Sequence, residues 1–92
     1  MNYTKHTLQK IEELFGELQY VIRYEKGSFQ SGFCLVEDRR IAVVNKFFET
    51  ESRINTLIDI LDKISVNTEG LTEKALKTLK EVRKKQIESI EE

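Results

Sequence analysis

Cys34 and His6 are the sole cysteine and the sole histidine of this 92-residue chain, and any nucleophilic catalysis would have to begin with them. A thiolate attacks only when a base takes its proton and a third group orients that base. Cys34 lies between Phe33 and Leu35 in a run that alternates as a strand, whereas His6 stands at the extreme N-terminus. The pattern predicts Cys34 as a small buried apolar residue and His6 as a surface residue at the start of a helix. Carboxylates fare no better. Metal-assisted phosphodiester cleavage on three consecutive strands needs an acid on the second and an acid two before a lysine on the third. The third strand reads Arg40-Ile41-Ala42-Val43-Val44-Asn45-Lys46, with valine at that place, and Glu37 and Asp38 fall in a polar loop. Gly27 and Gly32 make no phosphate cradle, and one cysteine supports neither an intramolecular disulfide nor a structural zinc. These residue types predict no catalytic residue, no metal ligand and no cofactor.

Binding is left to fewer residues. Phe47-Phe48 follows the third strand, and adjacent residues leaving a strand point in different directions, which leaves one ring for the surface. Core closure by one ring and cover of a helix end by the other outweighs a partner patch, because an isolated exposed phenylalanine is ordinary. Glu51, Arg53, Asn55 and Asp59, on the helix that follows, are the polar groups available to a groove between that helix and the strands. Arg39-Arg40 forms a basic hairpin tip, and with Lys46 and Arg53 it makes a conceivable phosphate contact. Glu37 and Asp38 neutralise the tip locally.

Net charge weighs against nucleic acid as well. Fifteen Lys plus Arg oppose sixteen Asp plus Glu, for a formal charge of −1. Dedicated nucleic-acid binders carry a basic excess, since neutralising phosphates drives their affinity. No apolar run approaches the roughly 20 residues of a membrane span, and no signal-peptide block opens the chain. A reducing, cytoplasmic setting is the expectation.

The elements that must position these residues follow from periodicity. Thr4 or Thr7 caps a helix in which Leu8, Ile11, Leu14, Phe15 and Leu18 share one face. The period then drops to two: Tyr20, Ile22 and Tyr24 alternate with Val21, Arg23 and Glu25. Lys26-Gly27-Ser28 reads as a turn. A second strand follows, with Phe29, Ser31, Phe33 and Leu35 on one side and Gln30, Gly32, Cys34 and Val36 on the other. Glu37-Asp38-Arg39-Arg40 is a hairpin loop. The continuous run Ile41-Ala42-Val43-Val44 suggests a third strand covered on both faces. Thr50 is the predicted cap of a helix carrying Ile54, Leu57, Ile58, Leu61 and Ile64. Residues 65–70 break the pattern, and Thr72 caps a last helix with Leu76, Leu79, Val82, Ile87 and Ile90. The reading is one α+β domain over residues 1–92, ordered α-β-β-β-α-α, with a three-stranded antiparallel meander packed by helices.

The stretch Ser31-Gly32-Phe33-Cys34-Leu35-Val36-Glu37-Asp38-Arg39-Arg40-Ile41-Ala42-Val43-Val44-Asn45-Lys46, with Arg53-Ile54-Asn55-Thr56-Leu57-Ile58-Asp59-Ile60-Leu61, resembles the core of ImmA/IrrE-type zinc metallopeptidases. In that family a strand hairpin with a similar ending precedes a helix bearing Ala-His-Glu-Leu-Gly-His. The resemblance implies a zincin-like scaffold. It also puts Asp59 at the first histidine, Ile60 at the glutamate and Lys63 at the second histidine. Zinc needs neutral imidazoles at i and i+4 and a carboxylate to activate water; isoleucine is no base, and an ammonium repels a cation. Asp59 and Lys63 instead have the spacing of a helical ion pair. Glu73, where such folds place a third ligand, reads as a first-turn helix acid. The segment Tyr24 to Gly32 is similar to one in small uncharacterised bacterial proteins and implies no activity.

The expected function is therefore a non-catalytic protein-interaction or structural role on a degenerate zincin-like scaffold, with a homodimer through the C-terminal helix as one form. The alternatives are an enzyme or small-ligand binder using the groove beside residues 50–64, and nucleic-acid binding through Arg39 and Arg40.

Overall fold

The computed structural model describes residues 2–27 and 33–91. Its order is α1 (Lys5–Glu17), β1 (Val21–Glu25), β2 (Phe33–Val36), a 3-10 turn (Glu37–Arg39), β3 (Ile41–Asn45), α2 (Thr50–Lys63) and α3 (Glu73–Glu91). This is the predicted α+β succession of helix, three strands and two helices. No helix among the described residues is long and apolar enough to cross a membrane.

Thr4 begins α1, its Oγ1 accepting from the Thr7 N–H at 3.2 Å, which satisfies one of the donors a helix start leaves free. The α1 stripe Leu8, Ile11, Leu14 and Phe15 is buried. The helix stops where Gln19 enters the left-handed region at φ 68°, and the Tyr20 N–H reaches back to the Phe15 carbonyl at 2.9 Å. That reversal aims β1 back along the sheet.

The sheet is mixed, which corrects the antiparallel meander. Its strand order is β1-β3-β2. β1 runs parallel to β3, from Val21 opposite Ile41 to Glu25 opposite Asn45. β2 runs antiparallel to β3, from Phe33 opposite Val44 to Val36 opposite Ile41. β1 ends beside Asn45 and β2 begins beside Val44, at the same end of β3. The physical reason is apolar content. β3 carries the continuous run and takes the centre, whereas Arg23 and Glu25 suit β1 to an edge. Lys26 and Gly27 are exposed; Ser28, Phe29, Gln30, Ser31 and Gly32, assigned above to a turn and a strand, lie outside the described residues.

The hairpin predicted at 37–40 closes through the 3-10 turn and Arg40, which adopts φ 52°. Arg40 fastens the sheet to α1: its carbonyl accepts from Val21 N–H at 2.8 Å, and its Nη1 donates to the Leu18 carbonyl at 2.9 Å.

Glu49, not Thr50, is the N-cap of α2, and its side chain makes no capping bond. Thr50 is already helical, because the Glu49 carbonyl accepts the first helical bond from the Arg53 N–H at 2.9 Å. Thr72 does cap α3, accepting from the Ala75 N–H at 3.2 Å. Its own N–H and Oγ1 donate to the two Glu17 oxygens at 2.9 and 2.8 Å. A capping box normally draws its glutamate from the third residue of the same helix; here α1 supplies it and thereby ties two helices together. α1 and α2 lie on the sheet, and α3 packs across α1. Phe15, Ile11, Leu14, Ile54, Leu57, Ile60, Leu61, Val44 and Val82 are the largest apolar side chains wholly enclosed. On α3 the buried stripe is Ala75, Thr78, Leu79 and Val82, with Leu76 half-buried. The side chains of Ile87 and Ile90 lie outside the described residues.

Candidate functional site

Arg53 and Phe48 come together, and the contact is structural. Arg53 Nε donates to the Phe48 carbonyl at 2.9 Å and Nη2 to the Lys46 carbonyl at 2.8 Å. Its guanidinium lies 4.2 Å from the Tyr24 ring centroid. The Tyr24 hydroxyl donates to Glu12 Oε2. One chain of contacts thus joins α1, β1, the β3–α2 loop and α2. Burial, reinforced by the hydrogen bond to Glu12 and its negative charge, pushes the Tyr24 phenol well above its usual range, against a smaller opposing pull from Arg53. Phe48 packs against the core. Phe47 is 67% exposed, with the Lys46 ammonium 5.4 Å from its ring. Glu51, Asn55 and Asp59 follow at i, i+4 and i+8 along the solvent side of α2. They do not converge on Arg53.

Of the four basic residues expected at a phosphate contact, Arg39 and Arg40 stand apart from Lys46 and Arg53, which meet at the Lys46 carbonyl. Arg39 and Arg40 precede β3 and Lys46 follows it, about 16 Å apart at strand rise. Arg39 and Arg40 instead line a wide groove of about 830 Å³ with Asp38, Gln19 and Glu69, where both charge signs meet.

The positions that the metallopeptidase resemblance would give to ligands do not fit a zinc ion. Asp59 and Lys63 are exposed, and Ile60 is wholly buried in the core. Glu73 is exposed in the first turn of α3. Among the described residues no group of three His, Cys, Asp or Glu side chains is placed to hold a metal ion.

Cys34 is exposed, which overturns its expected burial. The cause lies in the two faces of the sheet. Ile22, Tyr24, Leu35, Ala42 and Val44 pack toward α1 and α2. Their neighbours in sequence point the other way, as strand geometry requires. Register brings those neighbours into rows: Val21, Ile41 and Val36 form one, and Arg23, Val43 and Cys34 the next. The helices that pack on the sheet, α1 and α2, lie on its other face. Val21 is 56% exposed and Val36 38%, while Ile41 and Val43 on the central strand are half-buried. Arg23 and Glu25 pair at 3.2 Å along one margin. The result is an apolar patch with a charged edge.

Residue-type reasoning missed this patch, although its signal was present. Val21 fell on the outward side of β1, and the β3 run implied two covered faces where the described helices cover one. No family model, curated protein or solved structure matches the chain.

Proposed function

We propose that this chain is a non-catalytic protein-interaction module that docks a partner on the open face of its sheet. The observation that carries the reading is the apolar row Val21-Ile41-Val36 with Val43 behind it, aligned by strand register and without a covering layer among the described residues. A row of exposed apolar side chains with a charged margin gives a partner apolar surface to bury. The degenerate zincin-like scaffold fits the same reading: Asp59, Ile60 and Lys63 supply neither ligands nor base at the positions the resemblance singles out. The described stripe of α3, Ala75 to Val82, is buried within the chain, so this reading seats the partner on the sheet and not on that stripe. A reducing, cytoplasmic setting suits the module, because exposed Cys34 stays a thiol there.

Affinity capture tests this. Wild-type protein is compared with the double variant V21E/V36E and with N55R on the solvent side of α2. The expected result is a specific partner retained by wild type and N55R and lost with V21E/V36E, whose melting temperature matches wild type. Equal capture by all three proteins would remove the open face as the docking surface.

A further inference from the structure

We infer that β1 is the pairing edge of a weak, reversible homodimer. In it β1 of a second copy runs antiparallel to β1 about a two-fold axis at Tyr24, and the three strands of each copy join into one continuous sheet. The inference goes beyond the open-face reading and does not rest on it, because it uses the rim of the sheet and not its uncovered side.

The rim is available for pairing. β3 is the only neighbour of β1 among the described strands. Edge strands commonly guard their free backbone groups with proline, lysine or a bulge. Val21–Glu25 contains neither proline nor lysine, and its register with β3 runs on without a bulge. Its only guards are Arg23 and Glu25, both exposed and opposite in sign. Such a pair repels most strands and fits its own reversed copy.

Backbone parity and charge together select the register. The Val21 N–H donates to the Arg40 carbonyl at 2.8 Å, and the Glu25 carbonyl accepts from the Lys46 N–H at 3.1 Å. Val21, Arg23 and Glu25 therefore turn their amides toward β3, and Ile22 and Tyr24 turn theirs to the rim. With the axis at Tyr24, that residue meets its own counterpart and Ile22 meets Lys26 of the second copy, each pair exchanging both N–H···O bonds. Arg23 then falls opposite Glu25 of the second copy, and Glu25 opposite Arg23. These are non-hydrogen-bonded positions, where Cα atoms come within about 4.5 Å and side chains lie closest. An axis at Arg23 or at Glu25 would set like charges face to face. An axis at Ile22 would run Glu25 against Gln19, where the chain has already left the strand at φ 68°.

The Tyr24 side chain is held within its own chain by Glu12 and Arg53, so the residue at the axis contributes its backbone. The four charges alternate in sign around the axis and extend the Arg23–Glu25 pair already present at 3.2 Å. A contact between two five-residue strands falls in the weak, transient class of interfaces, and its exposed ion pairs are screened by salt. Because the axis stands normal to the sheet, both copies keep their helices on one face and their Val21-Ile41-Val36 rows on the other.

Sedimentation velocity of the full chain from micromolar to millimolar concentration tests this, with the charge reversals R23E and E25R. Wild type should shift toward a dimer with concentration, and added salt should shift it back. R23E and E25R should each associate at least tenfold more weakly, because like charges then face each other. Their equimolar mixture should associate again, since a wholly acidic rim meets a wholly basic one. Isotope-filtered NMR should show contact between the Hα atoms of Arg23 in one copy and Glu25 in the other. Should either reversal unsettle the fold, the double variant R23E/E25R restores every opposite-charge pair and must dimerise as wild type does. A wild type that stays monomeric at millimolar concentration overturns the inference. So does a dimer indifferent to both reversals, a mixture that fails to associate, or a dimer dissolved by V21E/V36E but not by R23E or E25R.

Discussion

The two faces of the sheet are made from the same residues and meet opposite fates. On β3, Ala42 and Val44 are wholly buried beneath the helices, while Ile41 and Val43, from the same four-residue run, are only half-covered. Strand propensity and hydrophobicity do not distinguish them. What differs is the layer each one meets: Ile54, Leu57, Ile60 and Leu61 of α2 enclose one side, and nothing described encloses the other. Apolarity sets which residues seek cover, and topology sets which receive it.

That contrast is measurable with adjacent valines. Val44→Ala removes two methyl groups from an enclosed site and leaves a cavity, so it should cost roughly 2–3 kcal/mol. Val43→Ala on the same strand should cost less, because part of its side chain already faces water and no enclosed cavity is left. Urea denaturation of both variants reads the difference. Equal losses would mean that the outer face is covered in solution, and dependence of the loss on protein concentration would identify self-association as the cover.

Arg53 belongs to the covered side, where it holds the β3–α2 loop by two carbonyls and a ring. Arg53→Ala should cost about 1–3 kcal/mol. Arg53→Lys should rescue little, because an ammonium lacks the planar fork that spans both carbonyls while stacking on Tyr24. Amide exchange at Phe47 and Phe48 should accelerate in both variants. A neutral Arg53→Ala would show that the loop is held by the Asn45 contacts alone, in which the side-chain oxygen accepts from the Phe47 N–H at 3.0 Å.

Tyr24 gives the same side a pH signature. Its phenol holds the proton more tightly in the fold, through burial and the hydrogen bond to Glu12. An unfolded tyrosine ionises near pH 10, so above that pH the unfolded chain has released a proton that the native chain retains. The stabilisation is therefore complete below about pH 10 and is lost as pH climbs further. Unfolding free energies between pH 8 and 11 should fall more steeply for wild type than for Tyr24→Phe. Parallel curves would remove Tyr24 from the account.

Much of this side was legible in the sequence. The stripe Leu8, Ile11, Leu14, Phe15 and the stripe Ile54, Leu57, Ile58, Leu61 are local patterns, and both helices follow them. The order of elements was legible for the same reason. Strand pairing was not: β1 lies parallel to β3 and β2 antiparallel to it, a long-range fact that alternation does not encode. Cys34 shows the consequence. It was assigned to the core by residue type, yet its parity with Val36 puts it on the uncovered face. Arg53 stands out in the sequence by its charge, but its hydrogen-bond partners are backbone carbonyls, which carry no residue-type signal. The α3 cap was half legible: Thr72 could be read as an N-cap, while Glu17, its partner 55 positions away, could not.

The smallest expected effect is the most discriminating. Val21→Thr keeps a β-branched side chain on β1, so strand propensity is nearly unchanged. Val21 is 56% exposed, and surface changes of this kind fall within about 0.5 kcal/mol. Stability should therefore hardly move, while affinity for an occupant of the open face should drop, because a hydroxyl then enters the apolar contact and must be desolvated. A structural valine would show the reverse, a loss of stability with binding intact. Denaturation and titration with the captured partner on this one variant thus separate a face that holds the fold together from a face that is kept for something else.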